Sequence, residues 1–338
     1  MKSGWERSHE MVVPDIDTIR TVLKPFLKEG IITEVQPLSG GLNNSNIKIK
    51  TNTGEIFVLR IYSKSDKTME IERDILVLLQ NEVPVPQVLY FNSFRSEFNY
   101  PFILLSWIQG RPLSELMNRN NKQQVASNAN ELGRYLAHIH KIKFPEPGFF
   151  DEKLEIKETI NFNEDMFMML IEEMLVDGYG GRHLGSEVCS NVLNFTRKHA
   201  YLLDNLEEQK SLVHSDFNPL NILVVEKDSD TNVTAILDWE YAYSGSPLSD
   251  IGNMLRYEDS RTSELLEPFI LSYQEYGGHL PEKWLQKAKL LDLIALCDLL
   301  NKEACGEVRL ADIKGLILRM MDEWDAYAAV QGGLHKYG

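Results

Sequence analysis

The sequence predicts an α+β protein of two lobes, a small β-rich N-lobe followed by a larger, mostly helical C-lobe. Three observations lead there. Residues 33–107 hold short apolar runs rich in Ile, Val and Phe, divided by turn residues. After Gly110-Arg111-Pro112, long stretches take up the apolar periodicity of amphipathic helices. Inside that helical part, LVH, NILVV and TAILD between Leu212 and Trp239 revert to strand-like runs. At 338 residues the chain has room for two domains, drawn at 1–106 and 107–338, with a hinge near 106–110.

Each element has its own signal. A helix is expected over about 15–28, stopped by Gly30. Strands follow over 33–38, 46–51 and 55–62, the last two joined by the hairpin turn Asn52-Thr53-Gly54. A helix over about 67–80 carries Ile71, Ile75, Leu78 and Leu79 at helical spacing and stops before Pro84 and Pro86. Two more strands are expected near 87–91 and 102–107. In the C-lobe, helices are expected over about 123–140, 156–176, 186–207, 262–276, 282–303 and 307–330.

Composition narrows the function. There are 35 Lys and Arg against 50 Asp and Glu, a formal charge of −15. A protein that coats phosphate backbones needs a basic face, so nucleic acid is not an expected partner. Residues 1–109 carry 12 basic and 13 acidic side chains, leaving 23 and 37 for the rest. The acid surplus therefore sits in the C-lobe, either as a solubility device or as a field favouring cationic small molecules. Three cysteines without a C-x-x-C pair fit a reducing compartment. The start, MKSGWERSHE, has no apolar core of a signal peptide. The most apolar stretch, Leu290 to Leu300, is interrupted by Asp292 and Asp298 and is too short to span a bilayer. A cytoplasmic protein without membrane contact is expected, and no oligomeric state is read from the sequence.

The stretch LVHSDFNPLNILV places His214, Asp216 and Asn221 as H-x-D-x-x-x-x-N before a strand-like run, and ILDWE ends a second such run on Asp238. An Asp at the end of an apolar strand is placed against its propensity. Together these residues suit phosphoryl transfer: one carboxylate accepts a hydroxyl proton, while an Asn oxygen and a second carboxylate offer Mg²⁺ hard oxygen ligands. Upstream, Gly40 and Gly41 stand between two strands, as a hairpin turn or as a loop that lets backbone N–H groups approach phosphate. Arg60 closes IFVLR on the face of Ile56 and Val58, as a snorkelling edge residue or as a cation aimed into the cleft.

HSDFNPLN with LDWE resembles the catalytic loop and metal-binding Asp of the aminoglycoside phosphotransferase family, relatives of the choline kinases within the protein-kinase-like superfamily. Ser215 stands where the family usually has Gly, and Asp-Trp-Glu replaces the D-F-G of protein kinases. The resemblance runs from about Leu38 to Leu255 and is strongest over 212–252. It implies a protein-kinase-like fold and an ATP- or GTP-dependent, Mg²⁺-requiring transfer to the hydroxyl of a small molecule. Asp216 would be the catalytic base, His214 its brace, and Asn221 and Asp238 the metal ligands. The loop at Gly40, Gly41 and Asn44 matches the family's G-G-x-x-N form and would cover the nucleotide. Arg60 would grip its phosphates, held by Glu72, with Glu70 and Asp74 as neighbouring alternatives. Ser106, Trp107 and Ile108 would meet the base through their backbone. Asp250 would brace the catalytic loop. Glu240 reads as a solvated side chain or an outer metal-site residue, and His138 and His140 as packing and surface residues.

Three functions follow: an antibiotic kinase, with a cationic acceptor such as an aminoglycoside; a metabolic kinase for choline, homoserine, methylthioribose or a similar compound; or a catalytically silent nucleotide-binding protein. A protein-substrate kinase fits less well. No A-P-E-like segment follows Asp238, and Asn218 stands where protein kinases commonly carry Lys.

Overall fold

A computed structural model of the chain describes residues 5, 10–28, 30–38, 43–63, 66–93, 98–117, 122–204, 206, 209–227, 230–258 and 264–334. The N-lobe begins with helix α1 (Ile16–Leu27), capped by the Asp15 carboxylate, which accepts the Thr18 N–H at 2.8 Å. It ends ahead of Gly30, with Lys28 at φ 53° as its cap. Strands β1 (Ile32–Leu38), β2 (Ser45–Thr51) and β3 (Ile56–Ile61) follow, then α2 (Asp66–Leu79), β4 (Val88–Asn92) and β5 (Phe102–Ser106). They form one antiparallel sheet in the order β1-β2-β3-β5-β4.

Strand alternation divides the sheet's two faces. Phe57, Leu59, Ile61, Phe102 and Leu104 pack with Ile19 and Leu23 of α1. Ile103 and Leu105 point the other way and pack with Ile75 and Leu79 of α2, in a core continuous with the C-lobe. Arg60 shares that second face, as its alternation with Val58 requires, and so points at the cleft rather than at α1.

The C-lobe opens with β6 (Arg111–Pro112), α3 (Leu113–Met117) and α4 (Lys122–Lys141). Next come β7 (Gly148–Phe150), β8 (Ile156–Thr159), α5 (Glu164–Glu172), a π-helical turn (Glu173–Asp177), α6 (Gly180–Leu184) and α7 (Ser186–His199). Strands β9 (Ser211–Val213), β10 (Ile222–Lys227), β11 (Asp230–Ile236) and β12 (Tyr243–Gly245) carry the catalytic segment. Helices α8 (Leu248–Met254), α9 (Leu266–Glu275), α10 (Trp284–Leu300), α11 (Glu307–Asp322) and α12 (Trp324–Leu334) close the chain. Small sheets β11-β10-β6 and β8-β7-β12-β9 deliver the two ends of the catalytic loop. Among the described residues, no helix is long and apolar enough to cross a membrane.

Three helices depart from the sequence expectation, the one expected over 186–207 ending at His199 and passing into a 3₁₀ turn over Ala200–Leu203. The helix expected over 156–176 starts only at Glu164, because 156–159 pairs with β7 and Asn163 caps the helix by accepting the Met166 N–H at 2.9 Å. The helix expected over 307–330 is two helices, broken at Glu323. The hairpin with β7 and the local Asn163 cap, rather than a distant partner, shorten the first helix, and helical periodicity registers neither.

Candidate active site

The catalytic loop leaves β9 at His214 and is held from below by one carboxylate. Asp250, on α8 and fully buried, accepts the His214 N–H and the Ser215 N–H, each at 2.8 Å, on its two oxygens. His140 of α4 reaches the same carboxylate through Nε2 at 3.1 Å, while its Nδ1 meets the Tyr273 hydroxyl at 2.9 Å. Since a carboxylate only accepts, His140 Nε2 is the donor. Burial holds the His140 pKa below the usual histidine value, which leaves Nδ1 to accept from Tyr273. The sequence reading placed His140 among packing and surface residues; it is a buried hydrogen-bonding strut. Asp250 itself braces the loop as expected. Gly252 sets α8 against α10 so closely that a Cβ would stand 2.2 Å from the Ala288 carbonyl oxygen.

Ser215 sits at φ 71°, in the left-handed region. A side chain there costs roughly 1–2 kcal/mol relative to glycine, which gives a physical reason for the Gly usual at this position. The two hydrogen bonds to Asp250 hold the strained turn. It aims Asp216 upward, and both Asp216 carboxylate oxygens are then fixed by amides. Asn218 Nδ2 donates to Oδ1 at 2.6 Å, and Asn221 Nδ2 donates to Oδ2 at 2.8 Å. His214 accepts the Asp216 N–H on Nδ1 at 3.2 Å and donates from Nε2 to the Leu237 carbonyl at 2.9 Å. It therefore links the loop to the strand end that carries Asp238. Its ring lies 4.3 Å from Trp239, which is fully buried.

Asp238, also left-handed at φ 71°, pairs with Arg60 across the lobes. Arg60 is held from behind by Glu72, Nε to Oε2 at 2.9 Å. Glu72 also accepts the Tyr62 hydroxyl at 2.6 Å and the Trp239 N–H at 3.3 Å. Glu72 is the acid that pairs with Arg60, while Asp74 pairs with Arg73. Burial works against the Arg60 charge, but Asp238 and then Glu72 outweigh it, so its pKa lies above the usual guanidinium value.

Glu240 is not solvated. It is 6% exposed at the side chain, and its carboxyl accepts from Asn44 Nδ2 at 2.9 Å. Burial, and next the neighbouring Asp238, push it up to about 8. Asn44 thus ties the end of the N-lobe loop to the DWE segment, and Asn43 does the same through the Tyr241 hydroxyl. Gly40 and Gly41 lie outside the described residues.

A cleft of about 1480 Å³ runs between the lobes. Asn44, Arg60, Glu72, Asp216, Asn221 and Asp238 all line it, as do Ser106, Trp107 and Ile108 of the interlobe segment. Ser106 is fixed by its N–H donating to the Gln87 carbonyl at 3.0 Å, and Lys48 stands 4.4 Å over the Trp107 ring. Hence every described residue expected at the site, His214 excepted, faces one cleft, and His214 stands directly behind it. Sequence reasoning left Glu240 between a solvated and an outer metal-site role, and missed Asn218 and the buried pair Arg256 and Asp292 in the cleft wall. Adjacency to Asp238 and Asp216 was a signal for the first two; the pair has no local signal.

The donor set suits a hard cation. Asn221 spends its Nδ2 on Asp216, and its Oδ1 has no hydrogen-bond partner among the described residues, while Asp238 supplies a carboxylate. Two oxygen donors completed by phosphate and water are the usual habit of Mg²⁺.

Known proteins match this arrangement. The phosphotransferase enzyme family model matches residues 34–285. Among solved structures, a thermostable mutant of aminoglycoside phosphotransferase APH(4)-Ia in complex with ADP and hygromycin B is 16% identical, with a TM-score of 0.62 over 92% of this chain and 97% of that one. The GDP and kanamycin complex of APH(2")-IIia is 17% identical, with a TM-score of 0.63 over 91% and 98%. These likenesses establish the protein-kinase-like fold. Acyl-CoA dehydrogenase family member 11 of Pongo abelii is 25% identical over 238 residues, 64% of this chain, and its Homo sapiens counterpart is 25% identical over 235. The match spans only 26% of those relatives' own length. Because the family match runs through both lobes and takes in every site residue described above except Asp292, the chain belongs to the phosphotransferase enzyme family.

Proposed function

We propose that the chain transfers the γ-phosphoryl group of ATP or GTP to a hydroxyl of a small molecule, with Mg²⁺, in the cytoplasm. The observation that carries this reading is the convergence of Asp216, Asn221, Asp238 and the Glu72-held Arg60 on one cleft between the lobes. Residues 1–106 would hold the nucleotide, and 107–338 would supply the catalytic loop and the acceptor site. Two solved structures similar to it in fold contain ADP or GDP together with an aminoglycoside, which supports both a nucleotide donor and a small acceptor. No dehydrogenase activity is proposed, given the partial match to the curated relatives.

Each residue has a role in this mechanism. Asp216 accepts the acceptor hydroxyl's hydrogen bond and then its proton. Each of its oxygens accepts from an asparagine amide, which fixes the orientation of the carboxylate in the cleft. That fixed orientation replaces the reorganisation a free carboxylate would need. Asn221 and Asp238 would hold Mg²⁺, which neutralises phosphate charge when bound. Arg60 offers its planar guanidinium to phosphate oxygens, kept at the cleft floor by Glu72. Asn44 anchors the loop above the phosphates, and the Ser106–Ile108 backbone meets the base.

The test is a thermal shift with Mg-ATP and Mg-GTP, followed by nucleoside diphosphate release with an acceptor panel. Stabilisation of several degrees by one nucleotide is expected. Stabilisation without phosphoryl transfer to any acceptor would point to a silent nucleotide-binding protein, and no stabilisation by either nucleotide would refute the reading.

A further inference from the structure

The acceptor half of the cleft has a composition of its own. Met166 and Leu170 line it from one face of α5, and Phe162, just ahead of the helix's Asn163 cap, lines it too. Leu291, Ile294 and Leu299 line it from α10, again on one face. Most of these side chains are only partly buried, so they leave apolar surface open inside a cavity, where a ligand's apolar body would cover it.

Charge in this half is nearly balanced. Besides Asp216, the described lining carboxylates of α10 are Asp292 and Asp298, and the lining cations are Arg256 and Lys302. Asp292 is taken up by Arg256, Nη2 to Oδ1 at 2.7 Å and Nε to both oxygens at 3.1 Å. A polycation would find one exposed carboxylate here beyond the catalytic one.

Two polar groups remain uncommitted. Arg256 is 5% exposed, and its Nη1 has no partner among the described residues once Asp292 has taken Nε and Nη2. Asn253, three residues earlier and 3% exposed, has a buried Oδ1 without a hydrogen-bond partner among the described residues, and a half-turn of its amide puts the donor Nδ2 in that place to meet an acceptor. Both line the cleft, Asn253 from α8, the helix whose Asp250 holds the loop at His214, and Arg256 from the turn just past its end. A buried amide and a guanidinium nitrogen that line the same cleft, both unspent among the described residues, are the groups that would meet a polar atom of a ligand.

We propose that the acceptor is an amphipathic hydroxy compound. Its apolar body lies between α5 and α10, a carbonyl or carboxylate oxygen is held by Asn253 Nδ2 and Arg256 Nη1, and its hydroxyl reaches Asp216. The inference rests on the phosphotransfer reading above and narrows its acceptor away from polycations. In the transfer itself, the hydroxyl oxygen forms the new P–O bond to the γ-phosphorus, the β–γ bridging bond breaks with its electrons to the nucleoside diphosphate, and the hydroxyl proton passes to Asp216.

The full chain with Mg-ATP and Mg-GTP is assayed for diphosphate release against four probes. These are straight-chain hydroxy acids of six to twelve carbons with the hydroxyl at successive positions, their methyl esters, alkane alcohols of matched length, and kanamycin and hygromycin B. Turnover of the hydroxy acids or esters is expected, with KM falling about fourfold per added methylene until the wall is covered. Preference for acid or ester identifies the oxygen as carboxylate or carbonyl. Asn253→Leu should raise KM for those probes at least tenfold and alter KM for the plain alcohols less than threefold. Leu299→Gln, at a partly exposed wall position, should raise KM for both. The proposal is overturned if kanamycin or hygromycin B exceeds every hydroxy acid and ester in kcat/KM. It is equally overturned if the Asn253→Leu variant shows no such split, or if Mg-nucleotide stabilises the protein and no hydroxy acid or ester is turned over. In these cases the phosphotransfer reading stands; loss of nucleotide stabilisation itself would remove both.

Discussion

Asp250→Asn is the most informative single change, because it tests the loop's support without needing the acceptor. The wild-type carboxylate accepts from three buried donors: the His214 N–H, the Ser215 N–H and His140 Nε2. An amide has one acceptor oxygen. Placed against either backbone N–H, its NH₂ leaves that N–H buried and unsatisfied, at about 1–3 kcal/mol. His140 can recover its contact by switching tautomer, taking the amide proton on Nε2 and donating from Nδ1 to Tyr273. The remaining bond loses its charge assistance, about another 1 kcal/mol. The expected loss is therefore about 3 kcal/mol. At about 2.1 cal/mol/K per residue, 338 residues give an unfolding entropy of about 0.7 kcal/mol/K, so Tm should fall by about 4 °C. Diphosphate release should also fall at least tenfold, since the strained Ser215 turn that aims Asp216 loses an anchor. Calorimetry and the coupled assay read the two effects. A Tm within 1 °C of wild type together with unchanged turnover would refute the bracing role.

Other consequences follow from the same geometry. Asp216→Asn should lower kcat by about 10²–10⁴ while Mg-nucleotide still raises Tm; near wild-type kcat would remove Asp216 from the chemistry. Ser215→Gly should stay within about 1 kcal/mol of wild type in urea, because relief of strain offsets a freer unfolded chain; Ser215→Val should cost about 2 kcal/mol, and equal stability of the two would deny the strain. Lys289 is buried, and that burial lowers its pKa from the ordinary 10.5 to about 8. Between pH 8 and 10.5 the unfolded chain therefore binds more protons than the native one, and stability rises with pH. Lys289→Met should match wild type or exceed it by up to about 2 kcal/mol at pH 7, with the difference shrinking by pH 10. A variant clearly weaker at pH 7 would show that the Lys289 bond to the Leu255 carbonyl and its contact with the Tyr327 ring outweigh the buried charge.

What the sequence could show depended on how local the cause was. The candidate catalytic loop was legible because one short segment, 214–221, carries the proposed base, its brace and the proposed metal-ligand amide at fixed spacing. Strand alternation put Arg60 on the cleft face, and helix register put Glu72 opposite it. Both are near-neighbour rules, and both hold. Asp238 was legible as an acid at the end of an apolar run. Burial of Glu240 was not legible, since it depends on Asn44 arriving from nearly two hundred residues away. His140 looked like any histidine on an amphipathic helix until α4, α8 and α9 came together around it. Arg256, Asn253 and Asp292 form no motif at all, because Asp292 arrives from α10, which packs along α8 with a close approach at Gly252.

The acid surplus of the C-lobe can now be weighed against the cleft it was thought to serve. Residues 110–338 carry 37 acidic side chains against 23 basic ones, yet the acceptor half of the cleft shows a neutralised Asp292, one exposed Asp298 and the facing Lys302. Most of the surplus therefore lies on outer surfaces, where charges farther apart than about 8–10 Å are screened at physiological salt. A field that steers a polycation must be focused by the cleft to act on association; one spread over outer helix faces serves solubility instead. With the true acceptor, kcat/KM should change less than threefold between 50 and 300 mM salt at constant Mg-nucleotide. A fall of tenfold or more over that range would return the surplus to the binding site, and with it a cationic acceptor.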